Sequence, residues 1–225
     1  MLIDIQVCNI NNLAMTRDLV NDLLRQSFPF SLRIVDQNSS EKGTKEYLWS
    51  LRIHPQIRVL MNDSNVDLNR LWNDFYKTSK AQFLCFLNND VRVPSNFVKD
   101  TIEILKKEPE VGCVVHVTNG PEYSIDRLTY FISEIKFIQG WDFTVRREAY
   151  TLIPDDLKVF GGDDYIFSNF YLRGWKVAVA LSSPILHHKA KSRKYYTGSR
   201  EEEAQAYLKY GYERLPHGRP GQVNS

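Results

Sequence analysis

The chain has 225 residues, 43% of them hydrophobic and 25% charged, with 29 basic against 27 acidic side chains. That is long enough for one sizeable core and ordinary for a globular protein. The near-balanced charge excludes a nucleic-acid binder built on a basic surface. No window reaches the roughly 18 uncharged apolar residues of a membrane span, and the start, MLIDIQVC, carries Asp4 and no basic stretch, so it does not read as a signal peptide. The three cysteines, Cys8, Cys85 and Cys113, are far apart and embedded in apolar runs. They read as buried free thiols of a reducing, cytoplasmic compartment rather than as disulfides or zinc ligands.

In chain order, residues 2–8 are expected to form a strand. Residues 13–27 form an amphipathic helix, with Leu19, Val20, Leu23 and Leu24 on one stripe. A strand at 31–35, a short helix at 45–53 and a strand at 57–61 follow, then a helix at 68–78 and a strand at 83–87. Ser95 is expected to cap a helix over 96–107, and 111–117 completes the series. Short apolar strands alternating with helices imply βαβ units and a largely parallel sheet flanked by helices, a Rossmann-like α/β fold. Beyond residue 118 the pattern loosens. A strand is expected near 135–138, a helix over 163–173 closed by Gly174, strands at 175–181 and 184–186, and a helix over 201–210, with RLPHGRPGQVNS as a loose tail. One domain accommodates all of this, with halves at 1–117 and 118–198 and a C-terminal helix and tail at 199–225.

Ligands of parallel α/β sheets bind beyond the carboxyl ends of the strands. Four successive strands here end in Asn, Asp and Ser: Asn9-Ile10-Asn11-Asn12, Asp36-Gln37-Asn38-Ser39-Ser40, Asn62-Asp63-Ser64-Asn65 and Asn88-Asn89-Asp90. At any one end such residues are ordinary turn and cap formers. Together on one edge they could also bond a base and a ribose and hold a cation. Neither a P-loop nor a G-x-G-x-x-G turn is present, so a diphosphate would need a metal bridge, for which Asp90 supplies a hard oxygen.

The order and spacing of VCNINNL, IVDQNSSE, NDSNVDLNRLWN and FLNND resemble the family 2 glycosyltransferases, enzymes of the GT-A fold, over roughly residues 2–192. The resemblance implies a metal-dependent, inverting transfer of a sugar from a nucleoside-diphosphate sugar to an acceptor hydroxyl. It also implies a smaller, mixed acceptor-side half after the nucleotide-binding half. Asn9 and Asn11 would line the base and ribose pocket, Asp36 would bond the N3–H of uracil or thymine, and Asn65 and Asn69 would border the nucleotide. Asn88 and Asn89 would meet the ribose and diphosphate, and Asp90 would ligate Mn²⁺ or Mg²⁺. A UDP- or dTDP-sugar is the favoured donor, and a glycan or lipid-linked saccharide the acceptor, through which the chain would reach a membrane surface.

In VFGGDDYIFSNFYLRGWKV, Gly161-Gly162 offers a turn before Asp163-Asp164 opens a helix. Acidic first turns suit the helix dipole without any catalytic role. The resemblance adds that Asp164 deprotonates the acceptor and Asp163 orients it. His187 ends an apolar strand where related enzymes keep a metal ligand, with His188 the alternative because neighbours on a strand face opposite sides. Trp141 is either a platform for the acceptor sugar or a core residue. Lys189, Lys191, Arg193 and Lys194 are either a solvated face or a lid over the diphosphate. Two other readings stand beside transfer: a nucleotidyltransferase, and a non-catalytic sugar-binding domain suggested by Ile10 and Asn88.

Overall fold

A computed structural model describes residues 1–119, 127–137, 139–188, 200–212 and 217–218. The first half follows the expected alternation: β1 (Ile3–Asn9), α1 (Leu13–Leu24), β2 (Ser31–Asp36), α2 (Thr44–Ser50) with a 3-10 turn (Leu51–Ile53), β3 (Ile57–Met61), α3 (Leu68–Thr78) and β4 (Phe83–Asn88). After it come β5 (Val91–Arg92), α4 (Phe97–Lys107), β6 (Val111–Thr118), β7 (Tyr130–Ser133), β8 (Lys136–Phe137) and β9 (Asp142–Arg146). The chain closes with α5 (Gly162–Leu172), β10 (Lys176–His187), α6 (Arg200–Leu208) and β11 (His217–Gly218).

Among the described residues the main sheet has nine strands in the order β3-β2-β1-β4-β9-β6-β10-β5, with β7 also pairing β10. Strands β1 to β4 are mutually parallel, but β9 runs antiparallel between β4 and β6. The sheet is therefore parallel in its first half and mixed beyond it, as expected. Alternation along the strands sorts the core onto two faces. Ile3, Ile5, Val7, Phe83, Cys85 and Leu87 meet α1, α2 and α4. Leu84, Phe86, Phe143 and Val145 meet α3 and α5 around Trp72, with Phe86 stacked on Phe143 at 4.7 Å.

Strand β9 was not expected because its polar residues are buried. Asp142 accepts the backbone N–H of His116 (3.0 Å) and lies 2.8 Å from His116 Nδ1. Arg146 and Arg147 leave the strand on opposite faces. The Arg146 guanidinium donates to the Leu105 and Glu108 carbonyls at the end of α4 and to the Val111 carbonyl at the start of β6. Arg147 donates to Tyr76, Ser79 and Ala81 carbonyls at the end of α3. Each cation satisfies orphan carbonyls and opposes the negative end of a helix dipole.

Other expectations shift by local chemistry. The α4 N-cap is Asn96 rather than Ser95, and its amide reaches forward to Asp100 Oδ2 at 2.8 Å. The two strands expected at 175–181 and 184–186 are one, β10, which runs through Pro184 with a register shift between Ala180 and Ile185. Gly174 closes α5 with φ +75, as expected. Residues 217–218 of the presumed tail pair in parallel with β8, and the rest of the tail beyond 218 lies outside the described residues. No helix among the described residues is long and apolar enough to cross a membrane.

Arg147→Ala removes three hydrogen bonds to the Tyr76, Ser79 and Ala81 carbonyls. It should lower the unfolding free energy by about 2–3 kcal/mol in urea titration, the range for losing charged donors to partly buried acceptors. An unchanged midpoint would show that solvent replaces the guanidinium.

Candidate active site

The ends of β1, β2 and β4 are tied by one buried amide. Asn9 Nδ2 donates to Asp36 Oδ1 (2.8 Å) and Ser39 Oγ (3.2 Å), and Asn9 Oδ1 accepts from Thr16 Oγ1 (2.6 Å) and Asn89 Nδ2 (3.0 Å). All four hydrogen-bonding positions of the carboxamide are filled. Asp36 also accepts from the Ser39 hydroxyl and backbone N–H, and Asn89 Nδ2 reaches the Asn11 carbonyl at 3.1 Å. Asn11 Oδ1 in turn holds the backbone N–H groups of Ser40 and Glu41, both at 2.8 Å. The non-glycine residues with positive φ among those described, Asn11, Asn12, Asn38 and Asn119, are all asparagines at strand ends. Asparagine tolerates that region because its short side chain bonds locally.

Asn9, Asn89 and Asp36 thus lie within the protein as a brace, all under 2% exposed. Asn65 lies on the exposed turn after β3. Asn69 is buried on α3, where its Nδ2 donates to the Leu157 carbonyl (2.9 Å) and its backbone N–H to that of Lys158 (2.9 Å). Its side chain abuts Gly162, the first residue of α5: a Cβ there would stand 2.1 Å from Asn69 Oδ1.

Asp90 follows the brace directly. Its Oδ1 stands 3.5 Å from His187 Nε2, and both side chains are nearly buried. His187 Nε2 has no hydrogen-bond partner among the described residues. The antiparallel pairing of His187 with Val91 sets this approach, while the His188 backbone N–H donates to the Asp90 carbonyl at 2.9 Å. Of the two histidines, His187 is the one whose ring faces Asp90. A separation of 3.5 Å is long for a hydrogen bond and suits two ligands of one cation. An imidazole nitrogen with a carboxylate oxygen fits Mn²⁺ or Mg²⁺, the nitrogen leaning toward Mn²⁺. No cluster of three or more such side chains exists among the described residues, so a cation here would complete its shell from a ligand or water.

Trp141 sits against this pair. Its indole stacks on the His187 ring at 4.8 Å and 13°, and its Nε1 donates to Thr118 Oγ1 (3.1 Å). The Trp141 carbonyl accepts the Asn88 N–H at 3.0 Å, which fastens β9 to the end of β4. The next residue back, Gly140, lies against Asp163: a Cβ on Gly140 would stand 2.5 Å from Asp163 Oδ2. A continuous line of contacts therefore runs from Asp90 through His187, Trp141 and Gly140 to the first turn of α5. Beside Asp163, the Asp164 Oδ1 accepts from the Tyr207 hydroxyl at 3.1 Å. Burial, reinforced by the charges of Asp164 and Asp163, raises the Tyr207 pKa, so this hydroxyl remains a donor. Burial likewise pushes the Cys8 thiol up to about 12 and raises Cys85 and Cys113, so none offers a thiolate near neutral pH.

Tyr207 and α6 were absent from the expected site, since a tyrosine in an acidic helix gives no sequence signal for a partner 43 residues away. The basic run Lys189, Lys191, Arg193 and Lys194 lies outside the described residues.

A mixed α/β sheet with a polar carboxyl rim, an Asp–His pair and an acidic helix turn defines the class: a GT-A glycosyltransferase fold. The chain matches the model of glycosyl transferase family 2 over residues 4–160, and it belongs to that family. Three solved structures share the fold. TarS of S. aureus in complex with UDP-GlcNAc is 17% identical, with a TM-score of 0.70 over 91% of this chain and 64% of that one. GalNAc-T7 with UDP, GalNAc and Mn²⁺ is 14% identical, at 0.72 over 94% and 49%. The mannosyltransferase PcManGT from Pyrobaculum calidifontis with GDP-Man and Mn²⁺ is 14% identical, at 0.69 over 96% and 66%. The chain thus spans less than two thirds of each of these proteins. No curated protein matches it.

Gly162→Ala should cost about 1–3 kcal/mol of stability, the usual penalty of overpacking, because Asn69 is held by two hydrogen bonds. Adding Asn69→Ala should recover part of that loss in thermal unfolding, since the obstructing amide is gone. Two losses that simply add would contradict the contact.

Proposed function

We propose that the chain transfers a sugar from a nucleoside-diphosphate donor to an acceptor hydroxyl, with inversion at the anomeric carbon. The observation that carries this reading is the approach of Asp90 to His187 at the rim, joined by Trp141 and Gly140 to the acidic first turn of α5. Asp90 and His187 would hold Mn²⁺ or Mg²⁺. When bound, the ion supplies positive charge for the departing diphosphate.

Asp164 takes the proton of the acceptor hydroxyl. The freed oxygen bonds to the anomeric carbon from the face opposite the diphosphate, and the carbon–oxygen bond to the diphosphate breaks with its electron pair on the leaving group. Asp163, held against Gly140, orients the acceptor. Trp141 braces His187 by stacking on one face of its indole, and from this position it would also border the acceptor. Uracil or thymine is the proposed base, at the β2 end near Asp36, with Asn11, Asn65 and Asn88 bordering the nucleotide. The acceptor is a glycan or lipid-linked saccharide, in keeping with a role in polysaccharide assembly on the cytoplasmic side of a membrane. The buried free thiols suit that reducing compartment.

Thermal-shift measurements with UDP-GlcNAc, dTDP-rhamnose and GDP-mannose, with and without Mn²⁺, test donor and metal together. At least one donor should raise the midpoint only when Mn²⁺ is present, and Asp90→Ala or His187→Ala should remove that dependence. Asp164→Asn should keep the shift but lower turnover about 10²–10⁴-fold, the usual worth of a general base. Full turnover in that variant would reject the assigned base. Pyrophosphate rather than nucleoside diphosphate as product would favour a nucleotidyltransferase.

A further inference from the structure

Helix α6 lies beyond the residues matched by the family model, yet it holds the loop that leads into α5. Glu203, itself 4% exposed, places one oxygen, Oε2, on three successive backbone N–H groups: Lys158 at 3.1 Å, Val159 at 2.7 Å and Phe160 at 2.6 Å. Successive amides turned to one point make an anion-binding concavity, and here the anion is the chain's own carboxylate. Tyr207, four residues on and so on the same helix face, rests its ring against Gly161, where φ is +71. Its hydroxyl donates to Asp164 Oδ1. The proton assignment follows from the neighbours. Ser168 Oγ commits its single proton to the Asp164 carbonyl at 2.6 Å, which leaves Ser168 Oγ (3.4 Å) and Asp164 Oδ1 (3.1 Å) as acceptors for the Tyr207 proton, and the nearer, charged carboxylate is the stronger of the two. Tyr210 adds a hydrogen bond to Asp156 Oδ1 (2.8 Å) and an edge contact with Tyr165 at 5.1 Å.

We propose that α6 is a latch on the base-bearing loop, with Tyr207 the positioning residue for Asp164 and Glu203 the clamp on residues 158–160. This rests on Asp164 acting as the base. By donating to Oδ1, Tyr207 fixes the carboxylate's rotation and so the direction in which it meets the acceptor's proton. By gathering the 158–160 amides, Glu203 fixes the backbone from which α5 starts. Asn69 holds this loop from α3 by the Leu157 and Lys158 carbonyls, and Glu203 adds the 158–160 amides on the opposite side of the same backbone, just before the +71 φ of Gly161.

Two variants and one background test this on the full chain. Tyr207→Phe is expected to lower turnover about 10-fold, the worth of one charged hydrogen bond, read as nucleoside diphosphate released from the donor of the panel that is turned over. The donor KM should stay within about 2-fold, because a group acting only on the acceptor's proton leaves donor binding alone. In an Asp164→Asn background Tyr207→Phe should cost nothing further. Glu203→Ala should speed hydrogen exchange at the 158–160 amides about 10-fold or more while β4 keeps its protection. Wild-type turnover in Tyr207→Phe, an equal loss with and without Asp164, or unchanged exchange in Glu203→Ala would overturn the latch. Full turnover in Asp164→Asn alone would instead strike the base assignment, which is a separate failure.

Discussion

The Asn9 carboxamide is the interaction on which the rest of the site depends. It is fully buried, and every donor and acceptor it owns is used within the chain. Three parallel strands end on it, directly or through one partner. A buried amide left half-satisfied would cost on the order of 1–3 kcal/mol, so the network is held as a whole or not at all. Its consequence for function is positional. Asn89 is locked to Asn9 and Asn11, and the next residue is Asp90. Successive side chains leave a strand end in different directions, so fixing the first inward aims the second at His187.

A second constraint carries that placement across the molecule. Strand β9 is inserted antiparallel beside β4, and the residues leading into it are the buried Gln139, then Gly140 and Trp141. Gln139 Nε2 donates to the Asp142 and His116 carbonyls, both at 3.2 Å, which fixes the approach to the strand. Trp141 then bears on His187, and Gly140 leaves room for the Asp163 carboxylate. The two halves of the proposed chemistry, charge neutralisation at one end and proton removal at the other, are held in register by this short segment rather than by direct contact.

Much of this was legible in the sequence, and the parts that were not share a cause. Most strands and helices up to residue 118 declare themselves by periods of 2 and 3.6, with bounds within one residue; α1 and α2 end three residues earlier than expected, and the short β5 was not expected. Strand β9 does not, because Asp142 and Arg146 look like surface residues until His116 and the end of α4 supply their partners. Strand β10 looked like two because Ser182 and Ser183 interrupt it, whereas the fold absorbs them in an irregular stretch of ladder. At the site, the residue types at the strand ends were legible but their directions were not. Asn9, Asp36 and Asn89 read as ligand-facing and are a brace, and His187 was separated from His188 only by the pairing of β10 with β5. The Glu203 and Tyr207 contacts belong to tertiary packing, for which no local pattern exists.

The most direct test of the central claim, that the brace aims Asp90 at His187 to share one cation, is a crystal of the chain soaked with Mn²⁺ and UDP and examined by anomalous scattering. The account requires a single strong manganese peak within about 2.0–2.4 Å of both a carboxylate oxygen of Asp90 and Nε2 of His187, with diphosphate oxygens completing the shell. Manganese bound elsewhere, or UDP bound at the rim with Asp90 and His187 taking no part, would contradict it.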